Sequence, residues 1–188
     1  MKKKTSLLTK ILVPVLIIAV VVGIWIFKTV SEKPIEEPSI SQSETNLPSN
    51  LEGADFSLNA TTQIDFEALS EYGLPVIADY GADSCIPCKQ MAPVLKKLNA
   101  EMQGKAFIKF VDVWQYYDAA ANVPVQVIPT QVFFNADGTP FVPSDALAKE
   151  IQFDMYSDKT TGEHTFTVHQ GGLTEEQMRA ILKEMGVE

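Results

Sequence analysis

One short run constrains this chain more than any other. Val76-Ile77-Ala78-Asp79-Tyr80 starts apolar and β-branched, and it predicts a buried strand over Leu74 to Tyr80. Gly81 to Ser84 supplies a turn, and a helix opens near Cys85. Cys85 and Cys88 are the only two cysteines among 188 residues. A helix N-terminus leaves backbone N–H groups unpaired and carries the positive end of the peptide dipole. A sulfur placed there is favoured as thiolate. The second sulfur lies about one turn further on, near enough to close a small disulfide ring. This makes Cys85 the attacking thiolate and Cys88 the resolving thiol. The alternative is a static bridge or two inert thiols, but a bridge across so short a loop adds little by loop closure.

The run resembles thioredoxin. The resemblance rests on the strand ending in Asp79-Tyr80, on Cys85-Ile86-Pro87-Cys88-Lys89, and on Ala92-Pro93 in the following helix. A second motif, Ile128-Pro129-Thr130, stands where thioredoxins carry a cis-proline facing the disulfide. The match covers roughly Asp65 to Thr139 and again Gly171 to Gly186, and two motifs in the right strand and helix context make it specific. It implies an α/β thioredoxin fold, a central mixed sheet flanked by helices. It also implies a buried acid at Asp79, whose burial raises its pKa and lets it take the proton of the resolving thiol. Lys109 is near that acid, but the register puts Phe110 at the family's lysine position, so no partner cation is assigned. Pro129 is expected to be cis, leaving the Ile128 backbone free to pair with an extended substrate strand. Ile128, Pro129, Thr130, Ile86 and Pro87 then line the partner groove. Ile86 replaces a common glycine, and Gly81 and Ser84 replace common tryptophans. These departures alter the rim of the site, not the cysteine chemistry.

Composition narrows the remaining classes. Two cysteines exclude a disulfide-rich scaffold and fall short of a four-cysteine zinc site. His164 and His169 are too far along the chain for a finger pattern, so no metal is expected. The net charge of −9 conceals an asymmetry: residues 1–28 hold five lysines and no acid, and all 24 acidic residues lie beyond them. That argues against a nucleic-acid partner, which needs a basic face.

Residues 1–10 form a basic N-terminus with Lys2, Lys3, Lys4 and Lys10. Ile11 to Phe27 carries no charge and as a helix would span about 25 Å, the short end for a bilayer core. Residues 11–28 are therefore read as a transmembrane signal anchor. Trp25 suits the interface, and the lysine bias keeps the N-terminus cytoplasmic. A cleaved signal peptide is the alternative, but no small-residue cleavage site follows the run. Residues 29–53, rich in Ser, Pro, Glu and Asn, read as a disordered linker, and residues 54–188 as the thioredoxin-like domain.

Within the domain a first short strand is expected over Asp55 to Ala60. Thr62 or Asp65 caps a helix through Glu71, and the long helix runs from Cys85 to Gln103 with Met91, Val94, Leu95 and Leu98 facing the core. Strands follow at Ala106 to Val113, Gln131 to Phe134 and Thr139 to Val142, with a short helix over Tyr116 to Ala121. Thioredoxins pass almost directly from here to the last helix. This chain inserts about residues 143–165, read as a helical turn near Asp145 to Lys149 and a β-hairpin of Ile151 to Tyr156 and Thr165 to His169. Thr174-Glu175-Glu176-Gln177 is a capping box for the last helix.

The expected function is a membrane-anchored thiol–disulfide oxidoreductase on the extracytoplasmic side, needing no cofactor. Its partners would be disulfide-containing extracytoplasmic proteins and an integral-membrane thiol electron carrier. Ile86-Pro87 puts no histidine cation beside Cys85, which favours a reductant over a disulfide-forming oxidase. The rivals are a non-catalytic binding or assembly module on the same fold, and copper(I) handling by the two thiolates.

Overall fold

The computed structural model describes residues 49–187. The expected transmembrane segment and most of the expected linker lie outside them. Among the described residues no helix is long and apolar enough to cross a membrane. The fold takes in residues ahead of 54: Ser49–Leu51 forms a 3-10 turn, and Leu51 is buried.

Five strands form one mixed sheet. They are β1 (Val76–Gly81), β2 (Phe107–Asp112), β3 (Thr130–Phe134), β4 (Asp154–Ser157) and β5 (His164–Gln170), in the spatial order β2-β1-β3-β5-β4. β1 runs parallel to β2 and antiparallel to β3, and β3–β5 and β5–β4 are antiparallel. All six residues of β1 are buried, as its apolar composition requires of a central strand. Four helices join the sheet: α1 (Phe66–Ser70), α2 (Ile86–Glu101), α3 (Leu147–Glu150) and α4 (Glu175–Glu184).

Alternation along the strands divides the core in two. Ile77, Ile108 and Phe133 face Met91, Leu95 and Leu98 of α2 and Met178, Ile181 and Leu182 of α4. Val76, Ala78, Tyr80, Phe107, Val111, Val132 and Phe134 form the second layer, against which Phe66 and Leu69 of α1 pack. Local capping chemistry sets the helix starts. Asp65 accepts from Ala68 N at α1, and Thr174 and Gln177 form the reciprocal capping box of α4.

Two expected strands shrink to single bridges. Thr139 to Val142 contributes only the bridge Phe134↔Pro140, because Pro140 and Pro143 have no N–H to extend a ladder. Asp55 to Ala60 contributes only Asn59↔Phe110 on the outer edge of β2. Lys109 holds that segment in place: buried, it donates to Asp55 O at 2.6 Å and Ser57 O at 2.9 Å.

The insertion forms α3 and the outer strand β4, which pairs with β5 through a turn closed by Asp158 N to Glu163 O at 2.8 Å. It is not a loose decoration. Its Leu147 and Ile151 are buried in the α2–α4 layer beside Phe141, and its Phe153 packs edge-on against Phe133 and Phe141.

Candidate active site

The strand–turn–helix unit from β1 to α2 places both cysteines. Cys85 is the N-cap of α2, in extended backbone conformation, and its Sγ accepts from Cys88 N at 3.3 Å. Pro87 sits in the first turn, where a missing N–H breaks no helical bond. The two sulfurs are joined in a disulfide with a Cα–Cα separation of 5.3 Å. Cys85 is 8% exposed and Cys88 4%, so the N-cap cysteine is the more exposed residue of the two.

The second motif lies at the start of β3, the strand beside β1. The Ile128–Pro129 peptide bond is cis, and Ile128 packs against Cys85 and Cys88. Cys85 Sγ lies 3.9 Å from Ile128 O. A disulfide sulfur has no proton to donate, so this marks proximity and not a hydrogen bond. Pro129 and Thr130 are buried, Thr130 Oγ1 donates to Val127 O at 2.7 Å, and Gly171 N donates to Pro129 O at 2.8 Å. Ile86, next to Cys85 in the chain, is 72% exposed, and Val127, next to Ile128, is 51% exposed. The structure thus brings Ile128, with cis-Pro129 next to it in the chain, against the cysteine pair that Ile86 and Pro87 separate, while the Thr130 hydroxyl turns to Val127 O.

Asp79 lies beneath, with no exposure at all. Burial pushes its carboxyl up to about 7, although a hydrogen bond from Gln131 pulls the other way.

The thioredoxin family profile matches residues 58–153. The thioredoxin of Staphylococcus aureus strain Mu50 is 39% identical over 96 residues, which is 48% of this chain and 90% of that protein. The chain belongs to the thioredoxin family. Among solved structures, Fasciola hepatica thioredoxin is 24% identical with a TM-score of 0.47, covering 69% of this chain and 99% of its own. A mutant thioredoxin from Halobacterium salinarum NRC-1 is 22% identical with a TM-score of 0.47, covering 68% and 88%. As a member of this family with a closed cysteine pair at the mouth of α2, the protein is a thiol–disulfide oxidoreductase.

Around that centre stand further residues: Phe110 and Gly81, which the sequence already marked, and Gln131 and Asp112, which it did not. Phe110, not Lys109, stands beside Asp79 in the β1–β2 register. The partner of Asp79 is Gln131, opposite it in β3, whose Nε2 donates to Asp79 Oδ1 at 2.6 Å. The available signal was a lone amide in the apolar run of β3. Gly81 explains itself by close approach: a Cβ there would stand 3.0 Å from Phe110 Cε2 and 3.3 Å from both Asp79 Oδ2 and Cys88 Sγ. A tryptophan at this position could not share the space. Asp112, at the end of β2, steadies the turn before Cys85. Its carboxylate accepts from Asp83 N at 3.0 Å, Trp114 N at 3.0 Å and Gln115 N at 3.1 Å. Burial pushes this carboxyl up, but those bonds outweigh it and hold the group below the usual carboxylate range. On the β2 side, Cys88 borders a cleft of about 460 Å³ whose walls include Ala82, Asp83, Phe110, Asp112 and Lys96.

Proposed function

We propose that this thioredoxin is a reductant tethered to the outer face of a cytoplasmic membrane. The observation that carries the thiol chemistry is the Cys85–Cys88 pair at the α2 mouth, facing the cis-Pro129 loop. In the reduced protein, Cys85 Sγ attacks a partner disulfide, and one partner sulfur leaves with the electron pair. Cys88 gives its proton to the Asp79 carboxylate and attacks Cys85 Sγ. The Cys85–Cys88 bond forms and the bond from Cys85 to the partner breaks. The dithiol loses two electrons and the partner's disulfide gains them. The Ile128 backbone pairs with the extended partner strand, and Ile86 and Val127 give it apolar footing.

The tether, the side of the membrane and the direction of electron flow are supported by the sequence. The uncharged run Ile11 to Phe27, the preceding lysines and Ile86-Pro87 between the cysteines favour an anchored extracytoplasmic reductant. Its partners would be oxidised extracytoplasmic proteins, and its electrons would come from an integral-membrane thiol carrier. Trapping with Cys88→Ser tests this, since the mixed disulfide at Cys85 then persists. Extracytoplasmic proteins should be recovered on it, and recovery of cytosolic proteins alone would refute the location. A reduction potential near that of the strong oxidants (~ −120 mV) would refute the direction.

A further inference from the structure

On the face of β3 that packs against α2, Gln131 alternates with Phe133, and both have no exposure. A buried amide without a partner is costly, so a glutamine in an apolar layer calls for a reason. Nε2 donates to Asp79 Oδ1 at 2.6 Å and lies 3.4 Å from Met91 Sδ of α2. Gln131 Oε1 and Asp79 Oδ2 have no partner among the described residues. Oδ2 and Cys88 Sγ each lie 3.3 Å from the point where a Gly81 side chain would begin, so both face the same small gap.

We propose that Gln131 is a positioning residue for disulfide exchange: by donating to Asp79 Oδ1 it leaves Oδ2 as the oxygen that takes the Cys88 proton. The inference rests on the reading of Asp79 as that proton's acceptor. An amide serves this purpose in both states of the acid. Toward the carboxylate it makes a charge-assisted bond, and toward the protonated acid Oδ1 becomes a carbonyl oxygen that still accepts. A cation in the same place would favour the carboxylate alone. Few other groups of the described residues compete. Phe110 closes the β2 side, and Lys109 is bound to Asp55 and Ser57. From α2 the titratable group is Cys88; Lys89 and Lys96 of that helix line the outer cleft with Asp83 and Asp112. From β5, His169 stands opposite Gln131 in register, its Nδ1 2.8 Å from Gln152 O.

The test compares the wild type, Gln131→Met and Asp79→Asn. Carboxyl-carbon NMR of the reduced protein follows Asp79 against pH directly, free of His169. Stopped-flow reaction with dithiobis-nitrobenzoate follows resolution, read as release of the second thionitrobenzoate. Gln131→Met should move the Asp79 midpoint up by about one pH unit, since a hydrogen bond to the charged form is lost. Resolution at pH 7 should then slow about fivefold and recover at alkaline pH. A merely structural role would lower stability and leave the midpoint in place. An unchanged midpoint with an unchanged rate profile overturns the role of Gln131 and leaves Asp79 as acceptor. If Asp79→Asn resolves as fast as the wild type at every pH, the acceptor reading fails, and this inference with it. Should Gln131→Met not fold, the side-chain amide signals of Gln131 in the wild type decide. They must titrate with the Asp79 midpoint, and a different midpoint overturns the proposal.

Discussion

At the scale of single residues, Asp79 is where the proposed role works against stability. Its carboxyl sits at about 7 in the folded protein against an ordinary value of 3.8, and the cause is burial. Between those values the folded state holds a proton that the unfolded chain has released. Stability from this group is therefore greatest below the unfolded value, falls as pH rises through the interval, and levels off above the folded value. Asp79→Asn should be more stable than the wild type at pH 8, by up to about 4 kcal/mol, and no more stable at pH 3. Urea unfolding at the two pH values checks both halves. Tyr80, next in the chain, points into the opposite layer, and its buried hydroxyl has no partner among the described residues. Tyr80→Phe removes that unpaired group and keeps the ring, so it should leave stability unchanged or raise it by about 1 kcal/mol. A loss of stability on thermal unfolding would mean that the hydroxyl is bonded after all.

At the scale of elements, the working unit is β1, its turn and the first turn of α2, with Asp112 reaching across from β2. Asp112→Ala removes a carboxylate accepting three backbone N–H bonds and should cost about 2–3 kcal/mol. Because this carboxyl lies below the usual range when folded, its contribution is present above the unfolded value and is lost as pH falls through the folded one. The difference between wild type and Asp112→Ala should thus be full at pH 7 and shrink toward pH 2, as unfolding curves would show. How much of the site could be read in the sequence follows from the same distinction between near and far. The Cys85 cap, the Asp65 cap and the Thr174 capping box join residues three apart, and sequence shows such pairs directly. Gln131 meets Asp79 across 52 positions, and Asp112 meets Asp83 across 29, so both depend on strand register and a crossover that one chain does not spell out. Thr139 to Val142 misled for a local reason, since its alternation suits a strand while its prolines deny the ladder.

At the scale of the whole molecule, the insertion after β3 belongs to the core. Ile151 is 2% exposed within the layer shared by α2 and α4. Ile151→Ala should cost about 2–5 kcal/mol, the range for a buried aliphatic side chain cut to a methyl. A chemical denaturation midpoint close to the wild type would show that the insertion folds as a separate unit. The insertion also reaches the cis-proline loop, since Tyr156 of β4 accepts from Gln126 Nε2 at 3.0 Å, just ahead of Val127–Pro129. Everything proposed for the molecule still depends on one sulfur at the mouth of α2. The most direct measurement is the rate of iodoacetamide alkylation of Cys85 against pH, in the reduced protein carrying Cys88→Ser, beside a cysteine in a short unstructured peptide. The Cys85 profile should be displaced toward acid, so that at pH 6 it reacts many times faster than the peptide. Superimposable profiles would mean that no activated thiolate forms at the mouth of α2.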